Sequence, residues 1–238
     1  MDSSLTGLLL YAKLAQLAYD KRITVDEVIA CGVPSVVEIV NRKSDCGAEV
    51  HALVTHDSLY FVFAGSDDAL DWYHNAQLAR VKFQDTSARV HRGFMVQYKS
   101  LQGFLREMSD KFKTLNIICL GHSSGASLAF ITKCDISHFV QKNVDCIGFG
   151  CPRVGDSVFS SYVTQSIGTS LRVTNDNDLV SSLPSNIRGY RHCGPELTIR
   201  SPTLMNSIRR WFAPILYGIK DHHIATYVKI LEGMVAQH

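Results

Sequence analysis

The stretch Ile117-Ile118-Cys119-Leu120-Gly121-His122-Ser123-Ser124-Gly125-Ala126-Ser127-Leu128-Ala129-Phe130 decides the fold. Its first four apolar residues suit a buried strand, and the run after Ser124 suits a helix. Between them lies a GxSxG pattern, which in strand-to-helix context is a nucleophile elbow. The turn is so sharp that the residues flanking the serine must be nearly free of side chain, so glycine at 121 and 125 has a steric reason. At ordinary glycine usage a chain of this length yields on the order of 0.1 chance matches. An ordinary glycine-rich connection is therefore the competing reading of the bare pattern, and the flanking strand and helix weigh against it. The elbow reading predicts a serine hydrolase and calls for a histidine, an acid and oxyanion donors.

Working outward, residues 4–19 have the spacing of an amphipathic helix. Strands are expected at Val36–Val40, Glu49–Val54 and Leu59–Phe63, the last ending at Ala64-Gly65-Ser66. Residues 94–113 place Phe94, Tyr98, Leu101, Leu105 and Met108 on one helical face. The strand at 115–120 and the helix from 124 follow. Then come a strand at Cys146–Gly150, a helix at 156–167 and a strand at Ser170–Thr174. Strands alternating with helices predict a mostly parallel, wrapped α/β sheet. With no repeat, low-complexity linker or composition break, residues 1–238 are expected to form one domain.

The chain has 238 residues, 46% of them hydrophobic, enough for a substantial core. A net charge of +2 and the lack of a basic block give no reason to expect a nucleic-acid partner. No run of about 18 apolar residues suggests a membrane span. The start carries Asp2 and no basic region, so Leu8–Leu14 is expected to pack as helix rather than act as a signal peptide. The seven cysteines are odd in number and without CxxC spacing. That argues against a disulfide framework and a zinc site, and it predicts a reducing, cytoplasmic location.

The triad order serine, acid, histidine places the acid beyond Ser123. Asp176 and Asp178 both follow the strand at 170–174, on the rim where open α/β sheets form their sites. One of them is expected to be a solvated turn residue. His222 and His223 lie past both aspartates and before a terminal helix. His122, beside the serine, is expected to pack or buttress rather than act as base.

Six ordered blocks now stand out: Phe63-Ala64-Gly65-Ser66 with Asp71-Trp72 and Asn75; Val90-His91-Arg92-Gly93-Phe94 with Tyr98; the elbow; Phe149-Gly150-Cys151-Pro152-Arg153-Val154-Gly155; Asp178-Leu179-Val180 with Leu183-Pro184; and Asp221-His222 with Tyr227. On these the chain resembles the fungal-type, class 3 lipases, a branch of the α/β-hydrolases, from about residue 4 to residue 233. The resemblance implies an α/β-hydrolase fold with a mostly parallel central sheet flanked by helices. It implies hydrolysis of lipid carboxylic esters, as a triacylglycerol lipase-like esterase or a phospholipase A1, with no cofactor and no metal. It assigns Ser123 as nucleophile, Asp178 rather than Asp176 as acid, and His222 rather than His223 as base. It assigns Ser66 to the oxyanion hole, and the elbow itself adds the backbone N–H of Ser124 as the second expected donor. Three positions depart from the family pattern: Ala64 replaces an arginine, Ser181 a proline, and His223 a small residue. Loss of the arginine is expected to loosen the oxyanion loop.

In relatives a lid follows the oxyanion block, which here would be Asp67 to about Leu78, with Leu70, Trp72 and Tyr73. A second lid or substrate-binding candidate is Ser201–Lys220, with Trp211 and Phe212 beside Arg209 and Arg210. Apolar and basic residues together suit a helix in a membrane or lipid-droplet interface, so transient peripheral contact is expected. The competing reading is a helix packed on the domain itself, and Pro214 would interrupt either. Two other functions share these residues. An acyltransferase or thioesterase would use the same triad, whereas a catalytically silent lipid-binding protein needs a missing triad member, and none is missing.

Overall fold

The computed structural model describes residues 1–66, 79–176, 178–200 and 221–237. Two helices come first, α1 (Leu5–Leu17) and α2 (Val25–Ala30). Strands β1 (Glu38–Lys43), β2 (Glu49–Val54) and β3 (Ser58–Phe63) follow as an antiparallel meander. A short hairpin, β4 (Arg80–Lys82) and β5 (Arg89–His91), leads into α3 (Arg92–Lys111). The chain then alternates through β6 (Asn116–His122), α4 (Ser124–Phe139), β7 (Val144–Phe149), α5 (Ser157–Gln165), β8 (Ser170–Asn175) and β9 (Glu196–Ile199). Helix α6 (Ile224–Val235) closes the described chain.

Seven strands form one sheet in the order β1-β2-β3-β6-β7-β8-β9, parallel from β3 onward. Parallel central strands are covered on both faces and so are apolar throughout. In β6 all six residues from Ile117 to His122 are buried. Alternate side chains sort to the two faces. Phe61, Cys119 and Cys146 pack with α3 and α4, while Val62, Leu120, Ile147 and Val173 pack with α1 and α6. Helix α3 is amphipathic and turns Phe94, Tyr98, Leu101, Leu105 and Met108 inward, the expected face. Helix α4 is buried almost all round, between α3 and the sheet, and its buried charges are partnered, Lys133 donating to Gly168 O and Asp135 pairing with Arg106.

Register brings the strand ends to one rim. Phe63 pairs with Gly121, His122 with Phe149, and Phe149 with Val173. The carboxyl ends of β3, β6, β7 and β8 therefore form one edge. Observed boundaries lie within about three residues of the sequence expectations, the largest shift being at β1. Three features were not expected: α2, the β4–β5 hairpin and β9. Helix α2 did carry a local signal, the capping box in which Thr24 and Glu27 bond each other's backbone N–H. Among the described residues, no helix is long and apolar enough to cross a membrane.

Candidate active site

Ser123 sits between β6 and α4 with φ 57° and ψ −127°. This conformation is strained for a residue with a side chain, and surrounding contacts must hold it. The Ser123 N–H donates to Phe149 O at 3.0 Å, tying the turn to β7. A Cβ on Gly121 would fall 2.6 Å from the Gly125 carbonyl carbon, and one on Gly125 would fall 2.5 Å from Phe63 O. The steric expectation for both glycines is met.

His222 lies just ahead of α6. The Asn175 side-chain amide donates to Asp221 O at 3.1 Å, anchoring this approach to the end of β8. His222 Nδ1 is 2.8 Å from Asp178 Oδ2, and Nε2 is 2.9 Å from Ser123 Oγ. A carboxylate only accepts, so Nδ1 carries the proton and Nε2 accepts the serine hydroxyl. All three residues are buried, with Ser123 1%, Asp178 5% and His222 7% exposed. Asp178 Oδ1 accepts the N–H groups of Val180 and Ser181 at 2.8 and 3.2 Å. A proline at 181, the family's usual residue, would have no N–H to give. Tyr227 donates its hydroxyl to Asp178 Oδ2 at 2.6 Å.

The residues left open in sequence part company here. Asp176 is exposed and pairs with Arg200 Nε at 2.7 Å, the bland role expected for one aspartate. His223 is exposed at the start of α6. His122 takes neither role. It is buried between Tyr19 and His222, and burial holds its pKa well below the ordinary histidine value, with the nearby His222 adding to the effect. A neutral ring donates from Nε2 to the His222 carbonyl at 2.6 Å and accepts the Tyr19 hydroxyl on Nδ1 at 2.6 Å. Tyr19 and Tyr227 were given no role from sequence. Tyr19 is 103 residues from His122, and no local pattern marks it.

The loop after β3 runs along the same rim. Ala64 N–H still pairs with Glu49 O at 3.2 Å, and the Ser66 N–H donates to Ser124 Oγ at 2.9 Å. Ser124 is the first residue of α4, where a backbone N–H has no acceptor within the helix. Ser66 and Ser124 are thus in direct contact beside Ser123. The lid candidates, including Leu70, Trp72, Tyr73, Trp211 and Phe212, lie outside the described residues.

The family model for lipase (class 3) matches residues 60–187, more than half of the chain. The chain belongs to the class 3 lipase family. Among its relatives is a secreted mono- and diacylglycerol lipase 1 of Fusarium solani, 29% identical over 170 residues, covering 68% of this chain and 50% of that protein. Phospholipase A1-II 4 of Oryza sativa subsp. japonica is 28% identical over 217 residues, covering 74% and 54%. This class 3 lipase chain spans about half the length of the curated relatives it matches. The crystal structure of a lipase from Rhizopus microsporus var. chinensis superposes with a TM-score of 0.74 at 22% identity, covering 84% of this chain and 75% of that one. The fold is therefore that of the α/β-hydrolases.

The expectation of a cytoplasmic location is overturned, because relatives in three genera are named as secreted lipases. Unpaired cysteines mislead about compartment here for a physical reason. All seven thiols are free, yet Cys119, Cys134, Cys146, Cys151 and Cys193 are buried in the core. There they pack as small hydrophobes, and their unpaired state reflects packing rather than compartment.

Proposed function

We propose that this chain is a carboxylic ester hydrolase acting on lipid acyl esters through a single α/β-hydrolase domain. The observation that carries the proposal is the unbroken hydrogen-bonded line Asp178–His222–Ser123 at a carboxyl sheet edge. His222 Nε2 takes the Ser123 proton as Oγ attacks the ester carbonyl. Asp178 holds the tautomer and stabilises the imidazolium. The N–H groups of Ser66 and Ser124 receive the tetrahedral oxyanion, such donors contributing about 3 kcal/mol each. His222 protonates the leaving alcohol. Water then attacks the acyl-enzyme, again with His222 as base, and releases the acid. The scheme uses no metal and no organic cofactor.

The names of the relatives support mono- and diacylglycerols and phospholipids as the substrate classes to test. Leu179 is 41% and Ile187 93% exposed on the segment that follows Asp178, which supports contact with a membrane or lipid-droplet surface near the site. Fluorophosphonate labelling of wild type and Ser123→Ala tests the assignment. Label on wild type alone supports it, and an unlabelled wild type sinks it and favours a lipid-binding protein. Product analysis with an added acyl-acceptor alcohol separates hydrolase from acyltransferase.

A further inference from the structure

We infer that the Ser124 hydroxyl is a placeholder for the oxyanion: in the resting protein it accepts the Ser66 N–H and keeps the oxyanion loop ordered against the elbow. The inference rests on the oxyanion assignment above and adds a role for a side chain there.

The two residues are 58 positions apart in sequence, yet Ser66 N lies 2.9 Å from Ser124 Oγ. The hydroxyl belongs to a residue only 6% exposed, so the bond is largely sheltered from water. The loop is fixed in three different ways. Ala64 keeps a sheet hydrogen bond to Glu49 O. Gly65 packs against the Tyr19 hydroxyl and the His122 carbonyl. Ser66 is the last described residue before position 79, and its N–H is held by a side chain rather than by backbone.

A backbone N–H has one proton, so the resting bond to Ser124 Oγ occupies a proposed oxyanion donor. The hydroxyl that occupies it belongs to the residue whose own N–H is the second donor. An acceptor that displaces the hydroxyl from Ser66 N–H therefore arrives next to Ser124 N–H. Displacement requires rotation about a single bond, Cα–Cβ of Ser124, and no backbone movement.

The acceptors compete unequally along the reaction. A neutral ester carbonyl offers Ser66 N–H about what the neutral hydroxyl already offers. A tetrahedral oxyanion forms a charge-assisted bond roughly twice as strong. The exchange is therefore driven in the transition state and not in the ground state, and interactions of that kind raise kcat. Ser124 acts through Ser66, which makes its side chain a positioning group.

The test compares wild type, Ser124→Ala and Ser124→Thr by hydrolysis of p-nitrophenyl butyrate and by hydrogen exchange of the Ser66 amide. Ser124→Ala is expected to lower kcat and kcat/KM together by about tenfold with KM little changed, because an unheld Ser66 must be ordered before its N–H can meet the oxyanion. Its Ser66 amide should exchange faster. Ser124→Thr keeps the hydroxyl and should recover both readouts. An active wild type matched or exceeded by Ser124→Ala overturns this inference and leaves the hydrolase reading standing. So does a Ser66 amide that exchanges equally in both proteins. A wild type that neither turns over the ester nor takes a fluorophosphonate overturns the hydrolase reading and this role with it.

Discussion

Tyr227 Oη lies 2.6 Å from Asp178 Oδ2, the same oxygen that receives the His222 Nδ1–H at 2.8 Å. The phenol thus shares with His222 one oxygen of the carboxylate. Burial, and then the Asp178 charge, push the Tyr227 pKa well above its usual value, so it stays a donor across the working pH range. Its oxygen also accepts the Asn175 N–H at 3.1 Å, joining β8, α6 and the acid in one knot.

Tyr227→Phe should therefore disturb stability and activity together. It leaves the buried Asn175 N–H without its acceptor, a loss of about 1–3 kcal/mol. It also frees one lone pair of Asp178 and lets the carboxylate rotate, which should lower kcat several-fold without raising KM. Urea unfolding and steady-state kinetics on one preparation check both. Wild-type values in both measurements would show that the phenol does not hold the acid.

Acid should weaken the fold before its carboxylates titrate. Burial lowers the pKa of His91 from 6.5 to about 4 and holds that of His122 well below 6.5. Burial, with Arg172 and Arg153 nearby, takes His192 to about 3. Each histidine is thus neutral when folded and protonates more readily when unfolded. Between pH 6.5 and about 4 the unfolded state binds more protons, so stability is fully present above 6.5 and is lost as pH falls. The slope is up to about 1.4 kcal/mol per pH unit for each such group. Unfolding midpoints at pH 7.5, 6 and 4.5 measure it, and a flat profile would contradict it. His122 itself stays neutral in the folded protein, so its bond with the Tyr19 hydroxyl is lost by unfolding and not by titration of the native ring.

Which parts of this were legible in the sequence follows from how local each signal is. The elbow was, because Gly121 and Gly125 answer to contacts within the turn and with the adjacent strand end. The buried strands and α3 were, because their periodicity is set by the face they cover. Asp178 and Asp176 were alike from position alone, and family resemblance chose between them. In space they differ in partners: Asp178 receives the N–H groups of Val180 and Ser181, and Asp176 faces Arg200. Tyr19 escaped notice, and Tyr227, although quoted among the family blocks, was given no role, because their partners lie 103 and 49 residues away. β9, a four-residue strand with three exposed side chains, lacks the apolar pattern that marks a strand.

Gly125→Ala should damage the elbow although the added group is a single methyl. Its Cβ would lie 2.5 Å from Phe63 O and 2.6 Å from Ala64 O, both backbone atoms that cannot rotate away. Either α4 moves off β3 or the oxyanion loop shifts. Overpacking of this kind costs about 1–3 kcal/mol, and the displaced Ser66 should lower kcat at least tenfold. Thermal melting and fluorophosphonate labelling rate report the two effects. A variant that melts and labels like wild type would mean the contact relaxes at no cost.

His222 and His223 are adjacent in the chain and opposite in environment, which makes them a paired test of the base. His222 is buried, with both ring nitrogens engaged, whereas His223 is exposed. His222→Ala removes the proton acceptor of Ser123 and should lower kcat by about 10⁴-fold or more, with Asp178→Ala adding little on top because the two act as a unit. The proposed oxyanion donors of Ser66 and Ser124 would remain and leave a residual rate above background. His223→Ala should stay within about twofold of wild type, as surface substitutions away from such features commonly do. Kinetics on the two single variants and the His222/Asp178 double variant decide it. A large loss in His223→Ala with activity kept in His222→Ala would move the base one residue along the chain and undo the geometry argued from Asp178.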